Sequence, residues 1–227
     1  MRAVLWDMDG TLVDSEKLWD IGLQEFYRRH GRELSEEVRA TTIGGSSEIV
    51  MRIVYADLGL EPDPVDLAQT ADWLHDYVGE LFETGLPWCA GAREMLDELS
   101  AAGVTMALVT NTRRGLTEKA LNSIGRHYFS VTVCGDEVPA GKPSPDPYLR
   151  AAALLDLDPQ HCLAIEDSVT GTTAAEAAGC AVLVIPNEIE VPSGPRRRHA
   201  ESLADLTVNQ LRDVHAELGT EWDERTA

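Results

Sequence analysis

Cationic side chains are scarce in this chain. Its 227 residues carry 19 lysines and arginines against 39 aspartates and glutamates, a formal charge of −20. Nothing supplies a broad cationic face, which argues against nucleic acid or an anionic membrane surface as partner. No apolar run approaches the ~18 residues of a membrane-spanning helix. Cysteine is scarce too. Cys89, Cys134, Cys162 and Cys180 make no Cys-x-x-Cys spacing, and Cys134 and Cys162 fall in or beside apolar runs, so buried thiols are expected rather than ligands or disulfides. His30, His75, His127, His161, His199 and His215 show no metal-ligand spacing and are expected at the surface. The chain starts on a strand-like run without the charged-then-apolar layout of a signal peptide, so a reduced cytoplasm is the expected compartment. There is no low-complexity tract and no repeat. The length allows one large domain, or a core with a smaller companion.

The stretch that organises the rest is Ala3 to Val13. The apolar run Ala3–Trp6 reads as a strand buried on both faces. It ends in Asp7 and Asp9, with Gly10 as the break. Residues two apart in extended backbone point the same way, so the two carboxylates are expected to project together from the strand's carboxyl end. Ligands of open α/β sheets bind at that edge. Two close carboxylates repel unless a cation sits between them, and a divalent metal engaged in phosphate chemistry is the simplest such cation.

Helical periodicity follows. Leu18, Trp19, Leu23, Phe26 and Tyr27 predict a helix capped by Ser15 and ended by Gly31. Further helices are predicted at about Ser46–Leu58 and Pro64–Phe82. No strand is evident from Ser15 to Leu86, and Trp19, Trp73 and Trp88 are expected to pack in or beside this helical block. From Trp88 on, strands at Thr105–Val109, Val131–Cys134, Cys162–Ile165 and Ala181–Ile185 alternate with helices at Ala92–Ala102, Leu116–Ile124, Pro145–Leu155 and Thr172–Ala178. A last helix is predicted at about Val208–Leu218. The expected fold is α/β: a Rossmann-like, doubly wound parallel sheet core (1–14 and 88–227) with an inserted all-α cap domain (15–87). Arg196-Arg197-Arg198, the only basic run, reads as a solvated loop.

The chemistry-bearing residues share one position. Asp7 and Asp9 follow the first strand, Thr110 and Asn111 the second, and Glu166 and Asp167 the fourth, while Lys142 lies in the loop after the third. Parallel strands deliver all of them to one rim. Two acidic pairs, a hydroxyl–amide pair and a lysine are the parts that metal-assisted phosphoryl transfer needs. Taken singly they have plainer readings: a solvated turn, helix caps, a surface lysine.

Asp7-Met8-Asp9-Gly10-Thr11, Thr110, Lys142 and Glu166-Asp167, in that order, resemble the four motifs of the haloacid dehalogenase superfamily. The run Glu166-Asp167-Ser168-Val169-Thr170-Gly171 and the helical block are similar to the β-phosphoglucomutase-like phosphatases with a helical cap. The resemblance implies that Asp7 is a nucleophile forming an aspartyl-phosphate, and that Asp9 is the general acid and then the base. It implies Mg²⁺ held by the Asp7 carboxylate, the Asp9 backbone carbonyl and Asp167, with Glu166 contributing directly or through water. Thr110, the Asn111 backbone and Lys142 would bind the phosphoryl oxygens, and Lys142 would also restrain Asp7. Asp9 favours phosphate-ester chemistry, because the dehalogenases and phosphonatases of this family lack it.

Phosphatase and mutase differ in the cap. The related mutases carry an arginine just after the cap loop's glycine. Here the loop reads Ile43-Gly44-Gly45-Ser46-Ser47-Glu48, with serine in that place and Arg52 one turn on. Gly44, Gly45, Ser46 and Arg52 are the candidate substrate-specificity residues. Lacking a second cationic clamp, the chain is expected to hydrolyse a small phosphorylated metabolite. A sugar-phosphate mutase is the alternative, and a catalytically silent binding protein a third. A monomer or weak dimer is expected.

Overall fold

The computed structural model describes residues 1–42, 47–85, 87–187 and 190–226. They form two compact units, Met1–Asp14 with Pro87–Ala227, and Ser15–Leu86.

The first unit is built on a parallel sheet. Its strands are β1 (Ala3–Trp6), β2 (Thr105–Val109), β3 (Val131–Val133), β4 (Cys162–Glu166), β5 (Ala181–Val184) and β6 (Arg197–His199), in the order β3-β2-β1-β4-β5-β6. Both β1 and β4 are buried along their whole length, as continuous apolar runs require when helices cover both faces of a sheet. Strand order reverses between β1 and β4, the point where doubly wound sheets open a crevice. Register decides what lines it. Trp6 stands opposite Leu108 on one side and Ile165 on the other, so the residues following β1, β2 and β4 emerge at one level.

Helices α5 (Ala92–Ala101), α6 (Arg114–Ile124), α7 (Asp146–Leu154), α8 (Val169–Ala178) and α9 (Val208–Thr226) complete this unit. Helix α8 begins at Val169, earlier than the expected Thr172, because the Ser168 hydroxyl caps it by accepting from the Gly171 N–H at 3.1 Å.

Strand β6 corrects the sequence reading of a solvated loop at Arg196–Arg198. Arg196 is buried; its Nε donates to the Cys180 carbonyl at 2.9 Å and its N–H to Glu176 at 3.1 Å. Arg197 pairs with Glu176 at 2.7 Å and Arg198 with Glu217 at 2.6 Å. The physical reason is position. A short, charged strand is a stable way to finish a sheet edge, and it carries no apolar alternation by which to recognise it.

The second unit is helical: α1 (Glu16–Arg29), α2 (Glu36–Ala40), α3 (Ser47–Leu58) and α4 (Pro64–Thr84). Phe26, Tyr27, Met51, Val54, Leu74, Val78 and Phe82 are buried in it, the apolar stripes of α1, α3 and α4 turned together. Asp63 caps α4 by accepting from Val65 N–H at 2.8 Å. Ser15 does not cap α1. Its backbone is already helical (φ −72°, ψ −19°), which takes the hydroxyl out of capping position. Helix α2 was not expected, since it buries no residue and so leaves no stripe. Cys134, Cys162 and Cys180 are buried thiols, and Cys89 is half-buried.

Candidate active site

Strand β1 stops at Trp6, and the chain turns at once. The N–H groups of Leu12 and Val13 both donate to the Met8 carbonyl, at 3.0 and 3.1 Å, and Gly10 N–H donates to the Val13 carbonyl at 2.8 Å. Gly10 takes φ +86°, a conformation that costs glycine little. A side chain there would also collide, since a Cβ would lie 2.0 Å from Asp167 Oδ2. Asp7 and Asp9 stay close enough for the Asp9 charge to act on the Asp7 carboxyl. Each meets its own partners.

Asp7 meets a buried lysine. Lys142 Nζ donates to Asp7 Oδ1 at 2.5 Å and to Glu166 Oε1 at 2.6 Å, with only 3% of the Lys142 side chain exposed. The Lys142 backbone is held by the Asn111 side chain, which accepts the Lys142 N–H at 2.7 Å and donates to its carbonyl at 3.1 Å. Asp7 Oδ2 is buried and has no hydrogen-bond partner among the described residues.

Asp9 meets two threonines. Its Oδ2 accepts the Thr110 hydroxyl at 3.1 Å and the Thr112 hydroxyl at 2.7 Å. Thr110 Oγ1 in turn accepts the Thr112 N–H at 2.9 Å.

Glu166 is fully buried and well partnered. Oε1 accepts Lys142 and the Tyr148 hydroxyl, each at 2.6 Å. Oε2 accepts the Ser168 hydroxyl at 3.0 Å and the Asp167 and Ser168 N–H groups at 3.2 and 3.4 Å.

The electrostatics are unbalanced. Asp7, Glu166 and Asp167 face one ammonium. Burial, reinforced by Glu166 and Asp9 against the pull of Lys142, pushes the Asp7 carboxyl up to about 7. Burial, Asp7 and Glu166 push Asp167 up to about 9. Burial alone would lower the Lys142 ammonium, but Asp7 and Glu166 outweigh it and hold it above the usual lysine range. The cluster is short of positive charge, and a divalent cation fits that shortage. Oxygens of Asp7, Glu166 and Asp167 lie within 4.8 Å of one another, and the buried Asp7 Oδ2 is left without a hydrogen-bond partner among the described residues. An all-oxygen donor set suits Mg²⁺.

Asp7, Asp9, Thr110, Asn111, Lys142, Glu166 and Asp167 thus meet at one rim of the sheet. Arg52 is exposed on α3, in the helical unit, and Gly44, Gly45 and Ser46 lie outside the described residues. Four residues at the rim carry no role in the sequence reading: Thr112, Tyr148, Ser168 and Gly171. Thr112 sits two places after Thr110, in a bend closed by its own N–H donating to the Thr110 hydroxyl. Tyr148 sits in an ordinary-looking apolar helix and has no signal in the sequence.

The haloacid dehalogenase-like hydrolase family model matches residues 1–179. The chain belongs to that family. Among the relatives of this haloacid dehalogenase-like hydrolase is the bifunctional riboflavin kinase/FMN phosphatase of Arabidopsis thaliana, 33% identical over 95% of this chain. This chain spans only 55% of that longer protein. Another is the phosphoglycolate phosphatase of Thiobacillus denitrificans, 33% identical over 82% of this chain and 83% of its own length. Of solved structures, CbbY from Rhodobacter sphaeroides, crystallised with phosphate, superposes with a TM-score of 0.79 at 28% identity. The match covers 93% of this chain and 99% of that one.

Proposed function

We propose that this hydrolase is a Mg²⁺-dependent phosphatase that cleaves a small phosphomonoester through an aspartyl-phosphate on Asp7. The observation that carries the proposal is the state of the Asp7 carboxylate. Lys142 fixes one oxygen at 2.5 Å, while the other is buried and unpartnered. A buried carboxylate held by Lys142 through one oxygen, with the other left unpartnered among the described residues, is prepared to meet a metal and a phosphoryl group.

The substrate class rests on the relatives, whose names specify phosphoglycolate and FMN. Both are small phosphomonoesters. In the first step an Asp7 oxygen forms a bond to phosphorus as the bond to the leaving oxygen breaks, and Asp9 gives that oxygen its proton. In the second, Asp9 takes a proton from water as the water oxygen displaces Asp7 and releases orthophosphate. General acid–base assistance of this kind is worth about 10²–10⁴-fold. Thr110, the Asn111 backbone and Lys142 donate to the phosphoryl oxygens as charge spreads over them. Mg²⁺ would be held by Asp7, the Asp9 carbonyl and Asp167, with Glu166 directly or through water, and would neutralise the phosphate's charge beside the acidic cluster. The helical unit is assigned substrate selection, as in the capped phosphatases the sequence resembles.

The test is turnover of p-nitrophenyl phosphate, and of a panel of phosphorylated metabolites, with Mg²⁺ and with chelator. Asp7→Asn is expected to abolish turnover while keeping the fold, since it removes a charge from an overcharged cluster. Free orthophosphate, not an isomerised phosphate, is the expected product. Turnover retained by Asp7→Asn would refute the nucleophile assignment.

A further inference from the structure

We propose that Thr112 is a positioning residue for the acid–base work of Asp9, fixing which carboxyl oxygen carries the proton. The inference rests on the phosphatase reading and adds to it a residue outside the four motifs.

The geometry is a two-hydroxyl clamp on one oxygen. Thr112 Oγ1 donates to Asp9 Oδ2 at 2.7 Å and Thr110 Oγ1 donates to the same atom at 3.1 Å. The clamp is itself fixed. Thr112 N–H donates to Thr110 Oγ1 at 2.9 Å, which leaves the Thr110 hydroxyl hydrogen to point at Asp9. On the other side, the turn after β1 holds the Asp9 backbone in a bridge with Val13.

An oxygen that accepts two hydroxyl hydrogens is a poor place for a proton. The proton that Asp9 gives up as an acid is therefore carried on Oδ1, and there it returns when Asp9 acts as a base. In the forward step the Asp9 Oδ1–H bond breaks as the leaving oxygen gains its hydrogen and loses phosphorus. In the second step a water O–H bond breaks, the hydrogen goes to Oδ1, and the water oxygen bonds to phosphorus. Hydrogen and charge balance over the cycle, and no further reactant is needed.

The two threonines contribute unequally. When Thr110 turns its hydroxyl to a phosphoryl oxygen, as the proposed reaction asks, Asp9 Oδ2 loses one of the two threonine hydroxyls that clamp it. Thr112 then keeps Oδ2 occupied and the carboxyl oriented through the proton transfer. Its hydroxyl gives Asp9 a partner that binding of the phosphoryl group does not compete for.

The experiment compares kcat/KM for phenyl phosphate and p-nitrophenyl phosphate, with Mg²⁺, in the wild type, Thr112→Val and Thr112→Ser. The two substrates have nearly the same shape, but p-nitrophenolate leaves with much less need of a proton. Thr112→Val keeps the size of the side chain and removes the donor. It is expected to lower kcat/KM for phenyl phosphate about tenfold more than for p-nitrophenyl phosphate, part of the acid's full contribution. Thr112→Ser, which keeps the hydroxyl, is expected to restore most of the difference. An equal fall for both substrates would mean a merely structural or binding role and would overturn the proposal. So would no fall, a rise, or a deficit that serine fails to repair. A wild-type enzyme inactive on both aryl phosphates would instead strike the phosphatase reading, a result separable from the other outcomes.

Discussion

A Cβ added to Gly171 would lie 1.8 Å from Oε1 of Glu166. Glycine is usually the weaker choice inside a helix, and here it sits in α8 because the buried carboxyl needs the space. Glu166 cannot move aside cheaply, since Lys142, Tyr148 and Ser168 hold it from three directions.

Gly171→Ala is therefore expected to lower stability, by about 1–3 kcal/mol as for other overpacked cores. Gly115→Ala in α6, where nothing lies within 4 Å of the added carbon, is expected to raise it by up to about 1 kcal/mol. Urea denaturation of the pair checks the opposite signs. A stabilised Gly171→Ala protein would show that Glu166 is not held as described.

Lys142→Met removes the ammonium shared by Asp7 and Glu166 and leaves those buried carboxylates facing each other. A loss of about 3–5 kcal/mol is expected, as when one partner of a buried ion pair is deleted. Adding Glu166→Gln is expected to recover part of it, because a neutral amide no longer repels the Asp7 carboxylate. Additive losses in the double mutant would rule out the shared ammonium as the cause.

With metal chelated, the folded chain keeps protons on Asp7 and Asp167 that the unfolded chain has already lost. Their carboxyls are pushed up to about 7 and about 9 from ordinary values near 3.8. The folded state binds more protons, so stability falls as pH rises from about 4 to about 9. Lys142 does not cancel this, since its raised value gives a contribution that is constant below the normal lysine range. The decline is expected to run across that whole pH range, and Mg²⁺ should flatten it by stabilising the ionised cluster. Denaturation midpoints from pH 5 to 9, with chelator and with Mg²⁺, measure both effects. A flat profile in chelator would remove the argument that the cluster lacks a cation.

What the sequence makes legible follows from burial. Strands β1, β4 and β5 are covered on both faces and so read as unbroken apolar runs, and the residues just past β1, β2 and β4 could be assigned to one rim from parallel topology alone. Strand β6 was missed because a charged edge strand has no such run, and α2 because it buries nothing. At the rim, Asp7 and Lys142 were visible from their positions, but the two hydroxyl partners of Asp9 were not. They depend on the loop after β2, where the Thr112 N–H donates to the Thr110 hydroxyl and so brings both threonines to Asp9. Tyr148 escaped notice since a tyrosine in an apolar helix looks like core, and only packing shows where its hydroxyl points.

The first of the sheet's strands in chain order is also a central one. Strand β1 is flanked by β2 on one side and β4 on the other, so its second edge stays unpaired until residues 162–166 have been translated. The intervening helical unit, whose contacts are mostly local, can settle during that delay, whereas the rim bearing Asp7 cannot close until β4 docks. Vectorial synthesis therefore leaves the acidic cluster, with all its mutual repulsion, unassembled until β4 has joined the sheet.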